Sequence, residues 1–299
     1  MPSLWTRALR AAYRREFLPP IVLWAQAASG VRDWIRGLDR PLRAHLGGEA
    51  EARALLSEVT AAMFLRRYDA LRAAHPLLPD RQTHPRAPAL AMATLHLLPT
   101  APKARWLWDG LGGAPRGLAE TLRGERMLLA LSPEARWHEV ATHLGEFLIA
   151  FTELAPSRLP RAPQLLAQVC FDMGVRYAQR VKTLYGLPED ANDPRQAIEV
   201  LRIGEYIFRV NPEHWSGAEA KERSGAAASR PSRERSAFLE GTSCLWYQRP
   251  GWQRMHCGIF GQFQAGVCSV FQLDYKLDRT IPKHGGTTCR VTMHPLAGR

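Results

Sequence analysis

The chain has 299 residues, 46% of them hydrophobic, which is enough for one large domain or two smaller ones with their own hydrophobic cores. Its formal net charge is +12, with 40 Lys and Arg against 28 Asp and Glu. Almost all of the positive charge is arginine, without the interleaved aromatic residues of a base-stacking platform, so a solvated helical surface is favoured over nucleic-acid binding.

The N-terminal 28 residues join a basic segment to a short apolar one and loosely imitate a signal peptide. Pro19 and Pro20 interrupt the apolar part, and no small-residue cleavage site follows it cleanly. We therefore predict two amphipathic helices that meet at the double proline, with a peripheral membrane or partner contact as the alternative. No apolar stretch reaches the roughly 18 to 20 residues that cross a bilayer, so we predict no integral membrane segment. Five cysteines without an export signal predict reduced thiols and a cytoplasmic location.

Helical periodicity continues almost to residue 215. It predicts helices over 49–74, 115–131, 132–154, 163–185 and 194–210. Ser132 and Pro133 supply a helix cap followed by proline at the first helical position. Residues 80–102, rich in Pro and His, are expected to be a boundary or a long connection. Residues 1–160 are thus predicted to form a helical region, whose surface could bury a homodimer interface.

The C-terminal part changes character. Residues 217–236 contain no apolar side chain larger than alanine except Pro231, which predicts a mobile linker. The segments beyond it are rich in aromatic and β-branched residues and predict strands over 243–248, 253–263, 268–277 and 287–293. The predicted fold class is α+β, with a predominantly helical N-terminal two-thirds and a small antiparallel β-sheet at the C-terminus. The second predicted region, 161–299, combines helices with that sheet.

Four of the five cysteines fall in the last 56 residues, together with histidine, aspartate and arginine. This cluster contains Cys244, Cys257, Cys268, Cys289, His256, His284, Asp274, Asp278 and Arg279. The cysteine spacing lacks the closely spaced ligand pairs of structural zinc sites, so we predict neither a metal nor a cofactor. The alternative is that these thiols fill the core, as expected for Cys170 on a helical face.

The predicted strands assign faces to the cluster. On a strand, Cys268 would share with Asp274 a mixed face that could line a pocket, whereas the adjacent His256 and Cys257 would point to opposite faces. Asp274 and Asp278 would share a face, where carboxylates can bind a cation, orient a histidine or simply be exposed. Arg279 could clamp a carboxylate or lie on the surface, and His284 first of all begins a turn.

Short motifs follow one another in a distinctive order after residue 243. Cys244-Leu245-Trp246 comes first, then Cys257, a segment from Cys268 to Asp274, Asp278-Arg279-Thr280-Ile281 and a Gly-Gly-Thr-Thr-Cys289-Arg-Val ending. This order resembles the L-2-amino-thiazoline-4-carboxylic acid hydrolase family, over roughly residues 165–293. The sequence departs from the family pattern at Gly286, where an Asp is expected, and at Leu245, where a Pro is expected.

The resemblance implies a hydrolase that adds water to the ring carbon between sulfur and nitrogen of a small thiazoline or cyclic amidine. A cysteine thiolate would attack or position water, a histidine oriented by Asp274 would transfer protons, and Arg279 would hold the substrate carboxylate. The implied catalytic residues are Cys289, Cys257, His256, Asp274 and His284. The implied substrate-binding residues are Arg279, Cys268, Asp278 and Cys244.

A second resemblance leads to a different class of function. The C-terminal pattern is similar to the small-ligand-binding domains of the vinyl-reductase type, which would imply sensing instead of catalysis. In that alternative the protein is a non-catalytic ligand-binding or scaffold protein. Thiol reactivity separates the two classes, because a catalytic cysteine is an accessible thiolate of low pKa.

Overall fold

A computed structural model describes residues 4–96, 108, 111, 113, 115–187, 193–210, 216–218, 237–241, 244–247, 249–280 and 289–296. The fold is α+β, as predicted. The helices are α1 Leu4–Arg14, α2 Pro20–Leu46, α3 Glu49–Ala74, α4 Ala87–Leu95, α5 Leu118–Met127, α6 Pro133–Leu154, α7 Ala162–Tyr185, α8 Pro194–Phe208 and α9 Arg254–Val270. The strands are β1 Ser216–Ala218, β2 Ala237–Gly241, β3 Leu273–Arg279 and β4 Cys289–Pro295. No helix within these ranges is long and apolar enough to cross a membrane.

The chain divides into two compact units. One unit is Pro19–Pro163, here called the helical unit, and the other joins the residues up to Leu18 to those from Gln164 onward, here called the mixed unit. Helix α1 therefore belongs with the C-terminal part of the chain, whereas the sequence predicts it within a helical region over 1–160.

The helical unit is built on α2, α3 and α6, which pack against one another, while α4 packs against α3 and α5. Helix α6 begins as the sequence predicts, because the Ser132 hydroxyl accepts the Ala135 backbone N–H. Helix α4 was not predicted and lies within the segment expected to be a connection. All nine of its residues are buried, so its sequence lacks the alternation of polar and apolar faces by which a helix is recognised.

The mixed unit places helices beside a four-stranded antiparallel sheet of order β1-β2-β4-β3. Helix α9 packs on β3 and α8. Strand β1 overlaps the start of the predicted linker, and the remainder of that linker, 219–236, lies outside the described residues.

Two predicted strands are wrong. Residues 254–263 belong to helix α9, and Gln253 is its cap. The Gln253 side chain and the His256 side chain each accept the other's backbone N–H. The described residues of 243–248 form a turn. Cys268 consequently lies in the last turn of α9, and the strand face predicted for it with Asp274 does not exist.

Helices α7 and α9 cross at two glycines. A Cβ atom added to Gly174 would lie 2.1 Å from the Phe263 carbonyl oxygen, and one added to Gly266 would lie 2.1 Å from the Phe171 carbonyl oxygen. The glycine of each helix lies against a backbone carbonyl of the other helix, so the two backbones are in direct contact at the crossing. Only glycine allows helices to approach this closely.

Candidate functional site

The structure brings together three of the C-terminal cysteines. Cys244 lies in the turn before α9, Cys257 in the first turn of α9 and Cys289 at the start of β4, and each of these thiols affects the electrostatics of another. The hydroxyl of the half-buried Tyr275 lies within electrostatic reach of Cys257 and Cys289. No three His, Cys, Asp or Glu side chains in the described part of the chain are placed to hold a metal ion.

Most of these thiols are in the wrong protonation state for nucleophilic attack. Burial raises the pKa of Cys244 and of Cys268 to about 12 and also raises the pKa of Cys257. The Trp252 indole N–H lies near Cys257 and opposes this shift, although it does not reach hydrogen-bond geometry. These three thiols are therefore protonated at neutral pH, when attack requires the thiolate. Cys289, partly exposed, is the remaining nucleophile candidate.

The proton-transfer residues implied by the resemblance are not assembled around a thiol. His256 is buried, and its Nδ1 atom accepts the Gln253 backbone N–H at 2.8 Å. Its ring lies against Trp252, 5.0 Å between ring centroids. Asp274 is exposed on β3, where its carboxylate accepts the Tyr275 backbone N–H. An exposed carboxylate held in this way does not orient the buried imidazole.

The remaining predicted residues lie on or after β3. Asp278 accepts a hydrogen bond from the Thr292 hydroxyl and lies 3.2 Å from the Lys276 ammonium. Partial burial raises the pKa of Asp278, but these two contacts outweigh burial and lower it overall. Arg279 is exposed at an irregularity in the β3–β4 register. His284 lies outside the described residues.

The mixed unit contains a cleft of about 580 Å³ between α1 and the start of α8, which sequence reasoning missed. Asp193 starts α8 by accepting the Arg195 backbone N–H, and this helix then presents one face to α1. The cleft is lined by Arg10, Tyr13, Arg14, Asp193, Arg195, Gln196, Ile198, Glu199, Arg202 and Ile203. Four arginines against two carboxylates give it an excess of positive charge.

Two guanidinium groups converge on a single carboxylate in this cleft. Arg10 binds Glu199 through two hydrogen bonds of 2.6 and 2.7 Å, and Arg14 binds it through two of 3.0 and 2.8 Å. Burial raises the pKa of Glu199, but the hydrogen bonds from both arginines outweigh it and lower the pKa. The three side chains together carry one net positive charge, which leaves the arginines able to bind a further anion.

Two buried polar atoms near the cleft make no hydrogen bond with the residues that the structure describes. The Gln196 Oε1 atom is buried and has no hydrogen-bond partner among the residues that the structure describes. The same is true of the Tyr185 hydroxyl, whose ring lies 5.4 Å from the Arg10 guanidinium. Buried polar groups are normally paired, so these two atoms retain the capacity for a further hydrogen bond.

The helical unit encloses a polar cluster that sequence reasoning also missed. Arg67 of α3 donates two hydrogen bonds, of 2.8 and 2.7 Å, to Glu139 of α6. Nε2 of His143 lies 3.2 Å from Glu139, and Nε2 of His96 lies 2.8 Å from Nδ1 of His143. All four side chains are buried.

The protonation of this polar cluster follows from its contacts. Burial raises the pKa of Glu139, but hydrogen bonds from His143 and Arg67 outweigh it and lower the pKa to about 2. Burial also lowers the pKa of His143 and holds that of His96 well below 6.5, so both rings are neutral. Because a carboxylate only accepts, His143 donates to Glu139 and accepts from His96. The cluster is closed to solvent, and we interpret it as part of the core.

The sequence contains a local signal for the basic cleft and another for the buried polar cluster. Arg10 and Arg14 are four residues apart on one face of α1, as are Glu139 and His143 on α6. Their partners come from distant parts of the chain, and no local pattern pairs Glu199 with Arg10 or Arg67 with Glu139. No protein-family model, curated protein or solved structure matches the chain.

Proposed function

We propose that the protein binds a small anionic molecule in the cleft between α1 and α8. The observation that carries this proposal is the convergence of Arg10 and Arg14 on Glu199 in a cleft with two further arginines. The volume of about 580 Å³ lies within the range of small-molecule sites. The proposal belongs to the ligand-binding class that the sequence offers as an alternative to catalysis.

The chemistry of the cleft favours a carboxylate or phosphate. Guanidinium groups bind such anions through paired hydrogen bonds, and Arg14 and Arg202 are exposed enough to reach one. Arg202 is only loosely engaged, at 3.4 Å from Glu16. Gln196 adds an amide that can hydrogen-bond a neutral part of the ligand.

Inorganic phosphate tests the proposal by titration calorimetry at constant ionic strength. We expect saturable binding to the wild-type protein and a roughly tenfold weaker affinity for Arg14→Gln, because one charge-assisted contact is lost. Arg7→Gln is the matched control, since Arg7 is on the same helix but does not line the cleft. We expect its affinity to equal that of the wild type. Binding that is absent, or that both substitutions weaken equally, would contradict the proposal.

Hydrolysis of a small thiazoline or cyclic amidine is the second candidate function. One observation favours it: Cys289 is partly exposed beside Cys257 and Cys244, at the position that the family resemblance implies. Cytoplasmic location and a homodimer through the helices stay predictions of the sequence.

Alkylation of the native protein across pH, with mass-spectrometric location of the modified residue, tests this candidate. We expect Cys289 to react first and the fully buried Cys170 and Cys268 to stay unmodified until the protein is denatured. Cys170 is the internal control, because burial raises its pKa well above 9. Half-maximal labelling of Cys289 well below the ordinary thiol pKa favours hydrolysis, and labelling at the ordinary pKa removes its main support.

A further inference from the structure

Helix α1 presents two large apolar side chains to solvent. Leu4 is 77% exposed and Trp5 is 72% exposed, and no residue of α1 is buried. Ala8 and Ala11 are exposed on the same side of the helix, and with Leu4 and Trp5 they form a surface that we call the exposed stripe. Arg10 and Tyr13 instead face the cleft. Phe17, just after the helix, is also highly exposed. Exposed aromatic and aliphatic residues concentrated on one short helix indicate an interaction surface.

The exposed stripe is held in a fixed position. The inner face of α1 is tied to α8 by the four hydrogen bonds between Glu199 and its two arginines. Beyond the helix, the Tyr206 hydroxyl donates to the Glu16 carbonyl at 2.7 Å and accepts the Leu18 backbone N–H. Leu4 and Trp5 therefore face outward because the other side of the helix is anchored.

The charge beside the stripe identifies its partner. Arg7 and Arg15 are exposed on α1 or directly after it, and Arg14 is largely exposed as well. A second copy of this chain would bring the same arginines opposite one another and be repelled. A negatively charged surface would be attracted, and an anionic bilayer also accepts tryptophan and leucine in its headgroup layer.

We propose that α1 docks the protein on the surface of an anionic lipid bilayer, with Leu4 and Trp5 entering the headgroup layer and Arg7 and Arg15 contacting lipid phosphates. The helix has 11 residues and is about 16 Å long, so it lies in the interface and does not cross it. The surface used is the outer face of α1, distinct from the cleft on its inner face. The inference is therefore independent of the proposed binding of a small anion.

Flotation with lipid vesicles tests the inference on the full chain. We expect binding to vesicles that contain phosphatidylglycerol, little binding to phosphatidylcholine alone, and weaker binding at high salt. Leu4→Ala with Trp5→Ala should lower the partition coefficient roughly tenfold or more, because most of the apolar contact is lost. Arg7→Gln with Arg15→Gln should lower the partition coefficient roughly 30-fold, because two positive charges that attract the anionic bilayer are removed.

Matched controls come from α5 in the helical unit. Leu118 and Leu129, on and just after that helix, are each 74% exposed, and Arg123 and Arg126 are exposed beside them. The double substitutions Leu118→Ala with Leu129→Ala, and Arg123→Gln with Arg126→Gln, remove the same kinds of group elsewhere. We expect neither to change vesicle binding by more than about twofold, because the contact with the bilayer is assigned to α1.

Three results would overturn the inference. The first is that the wild-type protein does not bind anionic vesicles. The second is that the Leu4→Ala and Trp5→Ala double variant binds them as well as the wild type does. The third is that the wild type is a dimer without vesicle binding and the double variant is a monomer. The phosphate titration separates this inference from the proposed function. The double variant should bind phosphate like the wild type, because neither residue lines the cleft. Circular dichroism of each variant verifies that it is folded.

Discussion

We expect Gly266→Ala to destabilise the mixed unit by about 3 kcal/mol. The added methyl group would lie 2.1 Å from the Phe171 carbonyl oxygen and 3.1 Å from the Val175 backbone nitrogen. Both atoms belong to the backbone of α7, so no side-chain rotation can make room. The two helices would have to separate, and the packing on both sides of the crossing would be lost. Urea unfolding followed by circular dichroism measures the change in the free energy of unfolding.

Gly258→Ala is the matched control, because Gly258 is on the same helix and, apart from the adjoining residues of that helix, no atom in the described part of the chain lies within 4 Å of an added Cβ. In a helix interior, alanine is favoured over glycine by about 0.5 to 1 kcal/mol. We therefore expect the control to be neutral or slightly stabilising. Equal free energies of unfolding for the two variants would mean that α7 and α9 do not touch at Gly266.

Glu139→Gln is expected to destabilise the helical unit by about 3 to 5 kcal/mol, since it leaves the buried Arg67 charge without its bidentate partner. The other nearby carboxylate, Glu146, is 3.7 Å from Arg67 and makes the weaker contact. His143 would also lose the carboxylate to which it donates. Chemical denaturation of the single variant measures the cost.

Two comparisons make this prediction specific. Glu58→Gln removes a carboxylate from the exposed Arg158 pair and should cost less than about 1 kcal/mol. Adding Arg67→Met to Glu139→Gln should recover part of the lost stability, because no unpaired charge is then buried. If Glu139→Gln costs no more than Glu58→Gln, Arg67 is hydrated and the cluster is open to water.

The sequence identified helices that have a recognisable first or last residue. Helix α3 and helix α6 were predicted within a residue of their observed bounds, and a helix begins at Pro20 as predicted, with α1 ending before it at Arg14. Each has apolar residues at helical spacing and an identifiable start or stop residue. The antiparallel sheet near the C-terminus was also predicted, although β1 and β2 were missed.

Helix α9 shows why the other elements were not identified. Its residues include Ile259, Phe260, Phe263 and Val267, which are as common in strands as in buried helices. Helix α9 packs on both β3 and α8, so two of its sides are apolar and the helical period is obscured. One overlooked signal is that α7 and α9 both contain Phe-x-x-Gly-Val, at Phe171 and at Phe263, with the crossing glycine in each.

The sequence by itself determined the α+β class, the bounds of the amphipathic helices and the positions of the reactive side chains, because these depend on local periodicity and composition. The tertiary structure alone decided which of those side chains meet. Arg10 and Glu199 are 189 residues apart, and Arg67 and Glu139 are 72 apart. Burial and partners also set the protonation states, so Cys257, one of the two cysteines predicted as nucleophiles, is held as a neutral thiol. The basic cleft lies elsewhere. Such pairings follow from how helices pack, which local periodicity does not encode.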